Sequence, residues 1–195
     1  MNKKLILAST SPRRRELLSL TELVFEIVPS PAEEPDPDVG ELPAAYAARM
    51  ARLKASAVAE SRPEAVVLGA DSIVAVGDVI LGKPRGAGDA KRMLGLLSGR
   101  THQVVTGCAV FFPGREPEIF TVSTDVTMAR LSDAAIDAYV ATGEPMDKAG
   151  AYAIQGRAAA FVTSICGSYT NVVGLPLAEV VRQLRQGGVA SASAG

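Results

Sequence analysis

A carboxylate at position 71 interrupts an otherwise apolar stretch, Ala65-Val66-Val67-Leu68-Gly69-Ala70-Asp71-Ser72-Ile73-Val74-Ala75-Val76, whose composition and length predict a buried strand. Strand interiors are poor in Asp, and taking an ionised carboxylate out of water is costly unless a cation or hydrogen-bond donors compensate it. The compensator is a bound metal, a basic side chain, or a reaction that uses the carboxylate as a base. A purely structural ion pair is the plainest alternative. Any fold open to this chain has to bring such a group to the middle of a sheet.

With 195 residues, 48% of them hydrophobic, the chain is long enough for one substantial core or for two small lobes around a cleft. No composition break divides it, so one domain is expected over residues 1–188, followed by a frayed small-residue tail at 189–195. Lys and Arg total 20 against 21 Asp and Glu. That balance argues against a nucleic-acid partner while leaving room for a local basic pocket that takes a small anion. Cys108 and Cys166 are too few for a disulfide framework and are expected to be buried thiols. Lys3 and Lys4 precede only the short apolar stretch 5–8, too short for a signal-peptide core, and no apolar run approaches the roughly 20 residues that span a membrane. A soluble, cytoplasmic protein with no membrane partner is the expectation.

Residues 5–8 read as a short buried strand. Ser11-Pro12 is a strong helix start, with Ser as N-cap and Pro at the first helical position. Arg13, Arg14 and Arg15 follow in the first turn, where they oppose the helix dipole unless an anion sits there; solvated arginines are the alternative. Residues 29–43 hold five prolines among Glu33, Glu34, Asp36, Asp38 and Glu41, which predicts an acidic surface loop, solvated or lending one carboxylate to a metal. An amphipathic helix is predicted over 44–60, with Tyr46, Met50, Leu53 and Ala57 as its apolar positions and Lys54 among the polar ones. After the Asp71 strand, 79–81 leads into the turn 82–86, which presents Lys83 on a stem stiffened by Pro84.

A helix is predicted at 88–97, then two long strands at 102–112 and 118–131 joined by the turn 113–115, and a helix at 132–142. The lone histidine, His102, suits a hydrogen bond at a strand start. Glycines and small residues over 143–156 break regular structure and allow close backbone approach to a ligand. A strand at 161–166, a loop at 167–171 and a helix from Pro176 to Gln186 complete the chain. Strands alternating with helices early and a hairpin later predict an α/β fold with a mixed sheet flanked by helices.

Ser9, Arg13, Arg14, Glu33, Glu34, Lys54, Asp71 and Lys83 form a set of acids and bases without a usable His or Cys, which suits phosphate chemistry. A divalent cation and basic side chains neutralise phosphate charge while one carboxylate activates water. The P-loop pattern is absent.

The segments LASTSPRRRELL (7–18), LGADSIV (68–74), GKP (82–84), LSGRTH (97–102), DKAGAYAIQG (147–156) and VGLPL (173–177) resemble, in order and over nearly the whole chain, those of the Maf (septum formation) family of nucleoside triphosphate pyrophosphatases. The resemblance implies a Maf or inosine triphosphate pyrophosphatase-like fold with a cleft between two lobes. It also implies hydrolysis of a nucleoside triphosphate between its α and β phosphates, with Mg²⁺ or Mn²⁺.

On the family's pattern Asp71 matches the proton acceptor, Glu34 and Asp71 the metal-side carboxylates, Arg14, Lys54 and Lys83 the phosphate contacts, and Ser9 the serine at the first strand end. Arg13, Ser72 and Gln155 fall where the subgroup acting on dTTP and UTP selects its base. The 7-methyl-GTP subgroup carries Trp, Gln and Glu there. A house-cleaning enzyme acting on dTTP, UTP and modified pyrimidine nucleotides is therefore the leading expectation. The same reaction on 7-methyl-GTP or inosine triphosphate, or a nucleotide-binding septum regulator, stand as alternatives. Three departures from the family pattern are Ser72 for Thr, Leu53 for a Glu that often precedes the helix Lys, and Ala153 for Gly. Family members are often dimers, so a homodimer is a further expectation.

Overall fold

The computed structural model describes residues 4–189. Strand β1 (Leu5–Leu7) is wholly buried and runs into helix α1 (Pro12–Ser19), whose N-cap Ser11 accepts a hydrogen bond from the Arg14 N–H. Strand β2 (Phe25–Ile27) follows. It was not expected, because three residues are too few for a period to show. Helix α2 (Pro43–Ala59) precedes the long strand β3 (Val66–Val76), which hairpins into β4 (Val79–Leu81). Helix α3 (Ala87–Leu97), strands β5 (Thr101–Phe111) and β6 (Glu118–Met128), and helix α4 (Asp133–Ala141) come next. The expected break at 143–156 holds short 3-10 turns at Glu144–Asp147 and Ala149–Ala151. Strand β7 (Val162–Cys166), helix α5 (Tyr169–Val173), where a loop was expected, and helix α6 (Leu177–Gln186) finish the chain.

The sheet is mixed, in the order β2-β1-β3-β5-β6-β7, with β1 parallel to both β2 and β3 and the other pairs antiparallel. Strand β5 covers one edge of β3 from Val67 to Ala75. The other edge is shared end to end, by β1 at Val66–Leu68 and by β4 at Val74–Val76. Residues 69–73 therefore have a strand on one side only, and the open edge is centred on Asp71. A cleft between two lobes follows from this gap.

Alternation along β3 sorts the cores. Val66, Leu68 and Ala70 pack with Leu17, Leu18 and Leu184 from α1 and α6, whereas Val74 packs with Met93, Leu94 and Tyr139 from α3 and α4. Val67, Ile73 and Ala75 face α2 on the opposite side. The buried stripe of α2 is Ala47, Met50, Ala51, Ala55 and Val58; Tyr46, Leu53 and Ala57, expected in it, are half-buried. The helix sits low on the sheet. A Cβ at Gly69 would lie 2.7 Å from the Ala51 carbonyl oxygen, and one at Gly107, directly opposite Asp71 on β5, only 2.2 Å from that of Ala47. Small residues on both surfaces are what bring α2 against Asp71.

Cys108 is buried as expected, and burial pushes its thiol up to about 12. Cys166 is exposed, a correction that follows from its place at the outer end of the edge strand β7. Val189, expected in the tail, is buried and its N–H donates to the Leu184 carbonyl; the rest of that tail lies outside the described residues. His102 is 2% exposed, shares a 2.8 Å hydrogen bond with the Tyr152 hydroxyl through Nε2, and leaves Nδ1 without a partner.

Two predictions follow from this packing. Gly107→Ala should lower unfolding free energy by about 3 kcal/mol, because the added methyl meets backbone, while Gly95→Ala, in an open helical position, should raise it by about 0.5–1 kcal/mol; denaturant titrations compare them. Burial holds the His102 pKa at about 4 rather than 6.5, so the unfolded chain takes up the proton first and stability falls as pH drops through that window. Compared with His102→Gln, the native protein should lose an additional 2–3 kcal/mol or so between those pH values, and parallel pH–stability curves would contradict this.

Candidate active site

The cleft opened by the bare edge of β3 has a volume of about 1150 Å³, and Ser9, Arg13, Arg14, Glu34, Lys54, Asp71, Ser72, Lys83 and Gln155 all line it. Of the residues grouped from the sequence, Glu33 alone is not in this lining and stands exposed on the loop. Seven basic side chains against five carboxylates line its wall, a local excess of positive charge in a chain that is nearly neutral overall.

At its centre, Lys54 Nζ lies 2.6 Å from Asp71 Oδ1 and 2.9 Å from Glu34 Oε1. The Lys54 and Asp71 side chains are 13% and 11% exposed, whereas that of Glu34 is half-exposed. Helix α2 carries the ammonium to the strand, and the proline-rich loop brings Glu34 over it. Two carboxylates already converge on one cation here. A small divalent ion is typically held by one or two carboxylates together with substrate phosphate oxygens, and this donor pair suits it. No group of three or more His, Cys, Asp or Glu side chains that could hold a metal ion exists among the described residues, so the pair would need oxygens from substrate or water.

The next side chain along β3 serves the other face. Arg14 donates from Nε to the Gly174 carbonyl at 2.8 Å, from Nη2 to Ser72 Oγ at 3.1 Å and from Nη1 to Ser9 Oγ at 3.4 Å. Burial lowers its pKa, with Asp71 acting in the opposite sense, and a guanidinium keeps its charge regardless. Arg15, by contrast, is solvated at the helix surface. Ser72 Oγ also shares a 2.9 Å bond with Thr106 Oγ1. The hydroxyl thus links Arg14 to β5 while Ser72 also lines the cleft. Asn171 steadies the same corner by donating from Nδ2 to the Val104 carbonyl and to Thr124 Oγ1.

Lys83 stands exposed on its turn, which is tied to the loop opposite by the Gly150 N–H donating to the Gly82 carbonyl at 3.0 Å. Gln155 is exposed at the mouth, where a side cavity of about 490 Å³ is lined by Arg13, Glu144, Lys148, Gln155 and Gly156 among others. Lys148 escaped the sequence reading although it lies within a recognised segment. Its ammonium pairs with Asp147, whose carboxyl that hydrogen bond draws below its ordinary range. Arg85 and Arg92 on the α3 side were missed too, because basic residues near a helix start look merely solvated in sequence.

A mixed α/β sheet with a basic cleft built round a buried carboxylate–ammonium pair defines an α/β protein equipped to hold a phosphorylated ligand. A HAM1 protein from Coxiella burnetii has the same fold, with a TM-score of 0.52 at 17% identity over 94% of this chain and 99% of that one. Residues 4–187 match the family model described as Maf-like protein, and the chain belongs to that family. It is 51% identical over 187 residues to a protein of Bacillus cytotoxicus named dTTP/UTP pyrophosphatase, covering 94% of this chain and 95% of the relative. A protein of the same name from Anaeromyxobacter dehalogenans is 52% identical over 192 residues, covering 96% of each.

The Arg14–Ser72 contact can be measured. In a double-mutant cycle, Arg14→Ala and Ser72→Ala should couple by about 1–2 kcal/mol in stability, while Arg15→Ala and Ser72→Ala should be additive. Additivity in both cycles would contradict the assignment.

Proposed function

We propose that this protein hydrolyses dTTP and UTP, and modified pyrimidine nucleotides of similar shape, to the monophosphate and pyrophosphate. The observation that carries the reading is the Asp71–Lys54–Glu34 cluster, half enclosed in a cleft with the Arg14 guanidinium beside it, in a chain about half identical to proteins named for that activity.

In this mechanism Arg14, Lys54 and Lys83 bind the triphosphate and balance its charge, and Ser9 orients Arg14 from the end of β1. Asp71 takes the proton of the water that attacks the α-phosphorus. Lys54 holds the Asp71 carboxylate in place and adds positive charge beside the phosphates. Glu34 and Asp71 would hold Mg²⁺ or Mn²⁺, which supplies further charge neutralisation on the phosphates when bound. Arg13 and Gln155, which also share the side cavity, read the base. The Gln155 amide offers both a donor and an acceptor to a pyrimidine edge, and a base that leaves either unmatched forfeits about 1–3 kcal/mol. No helix of the described residues is long and apolar enough to cross a membrane, and an enzyme that clears unwanted nucleotides from the free pool belongs in the cytoplasm.

With Mg²⁺ or Mn²⁺, purified protein should release pyrophosphate from dTTP and UTP with kcat/KM well above that for 7-methyl-GTP and inosine triphosphate. Chelation should stop it. Asp71→Asn should lower kcat at least about 100-fold while leaving the fold intact by circular dichroism. Full activity in that variant, or preference for a purine substrate, would overturn the reading.

A further inference from the structure

Gln155 projects from a segment with little regular structure of its own, and among the described residues no side-chain partner holds its amide. What fixes the segment lies beneath it. Tyr139, 3% exposed on α4, accepts a hydrogen bond from the Ala153 N–H at 3.3 Å and donates one of 3.0 Å to Glu144 Oε1. Glu144 Oε2 accepts from the Arg157 N–H at 3.1 Å. The two amides lie two residues before and two residues after Gln155, so one Tyr–Glu pair grips both shoulders of the residue. A Cβ at position 156 would come within 2.3 Å of Glu144 Oε1, and glycine there is what lets the carboxylate reach the backbone.

The Tyr139 ring also meets that of Phe161 edge to face at 5.3 Å, at the close of the 3-10 turn Arg157–Phe161. Glu144 also lines the side cavity that Arg13 and Gln155 share. Neither side chain reaches Asp71, Lys54 or Glu34.

We propose that Tyr139 and Glu144 are positioning residues for base selection, setting the backbone from which Gln155 reads a pyrimidine. This rests on the substrate reading above. A site that discriminates by matching donors and acceptors loses selectivity when the reading amide is free to shift, while phosphate chemistry at Asp71, Lys54 and Arg14 continues.

The test uses Tyr139→Phe, which keeps the ring and its packing and removes only the hydroxyl, with Glu144→Gln as a second variant and Val58→Ala as a control that loosens a separate core cluster. The kcat/KM ratio of dTTP to dCTP and to inosine triphosphate should fall about tenfold in the first two, mainly through a higher KM for dTTP, with kcat within about threefold. Amide exchange at Ala153 and Arg157 should quicken at least tenfold. Val58→Ala should lower Tm and leave the ratio unchanged. An unchanged ratio in Tyr139→Phe, or an equal fall in Val58→Ala, would overturn the assignment while the substrate reading stands. A wild-type protein with no preference for dTTP or UTP would overturn the substrate reading and, with it, this one.

Discussion

The pairing of Lys54 with Asp71 beneath helix α2 is the constraint around which the rest of the molecule is arranged. A carboxylate in the middle of a sheet demands a cation, and here the cation is delivered by a helix that lies almost on the strand. That approach is possible only because glycine occupies positions 69 and 107 and the facing ridge of α2 is alanine. A bulkier residue at any of these points would lift the helix and leave Asp71 unmatched, at a cost of several kcal/mol or so for a stranded charge. Packing and electrostatics are one design at this point.

The same strand creates the cavity. Because β1 and β4 meet β3 at opposite ends of one edge, residues 69–73 are left open there, and consecutive side chains serve different partners: Asp71 meets α2 while Ser72 meets α1. Two helices on opposite faces of the sheet thereby deliver a lysine and an arginine to neighbouring residues of one strand. The arrangement gathers Asp71, Lys54 and Arg14 into one cleft, whose wall Arg13, Lys83 and Gln155 share.

Much of this was legible in the amino-acid order. Asp71 signalled its site because a charge in an apolar strand is locally unfavourable, and Ser11-Pro12 marked the start of α1 through capping chemistry that needs no tertiary information. Other features depended on contacts across the fold. Gly107 looks like any strand glycine until its strand is laid against Asp71 and under Ala47. The buried stripe of α2 was misplaced because alanine and tyrosine compete poorly as markers of a face that packs unusually close. Cys166 was expected to be buried on composition alone, whereas its exposure depends on β7 being the last strand of the sheet. The Tyr139–Glu144 grip on the Gln155 segment joins side chains to backbone amides, and backbone partners leave no trace in a sequence pattern.

A buried ion pair of this kind has a purely structural explanation as its rival, and one comparison separates the two. Replacing both partners together, Lys54→Met with Asp71→Asn, removes the charges while keeping the volume, and such a swap is often neutral or stabilising. If the pair exists for catalysis, the double variant should be as stable as the native protein in denaturant titration and should release no pyrophosphate from dTTP. Retained turnover in a stably folded double variant would contradict the account.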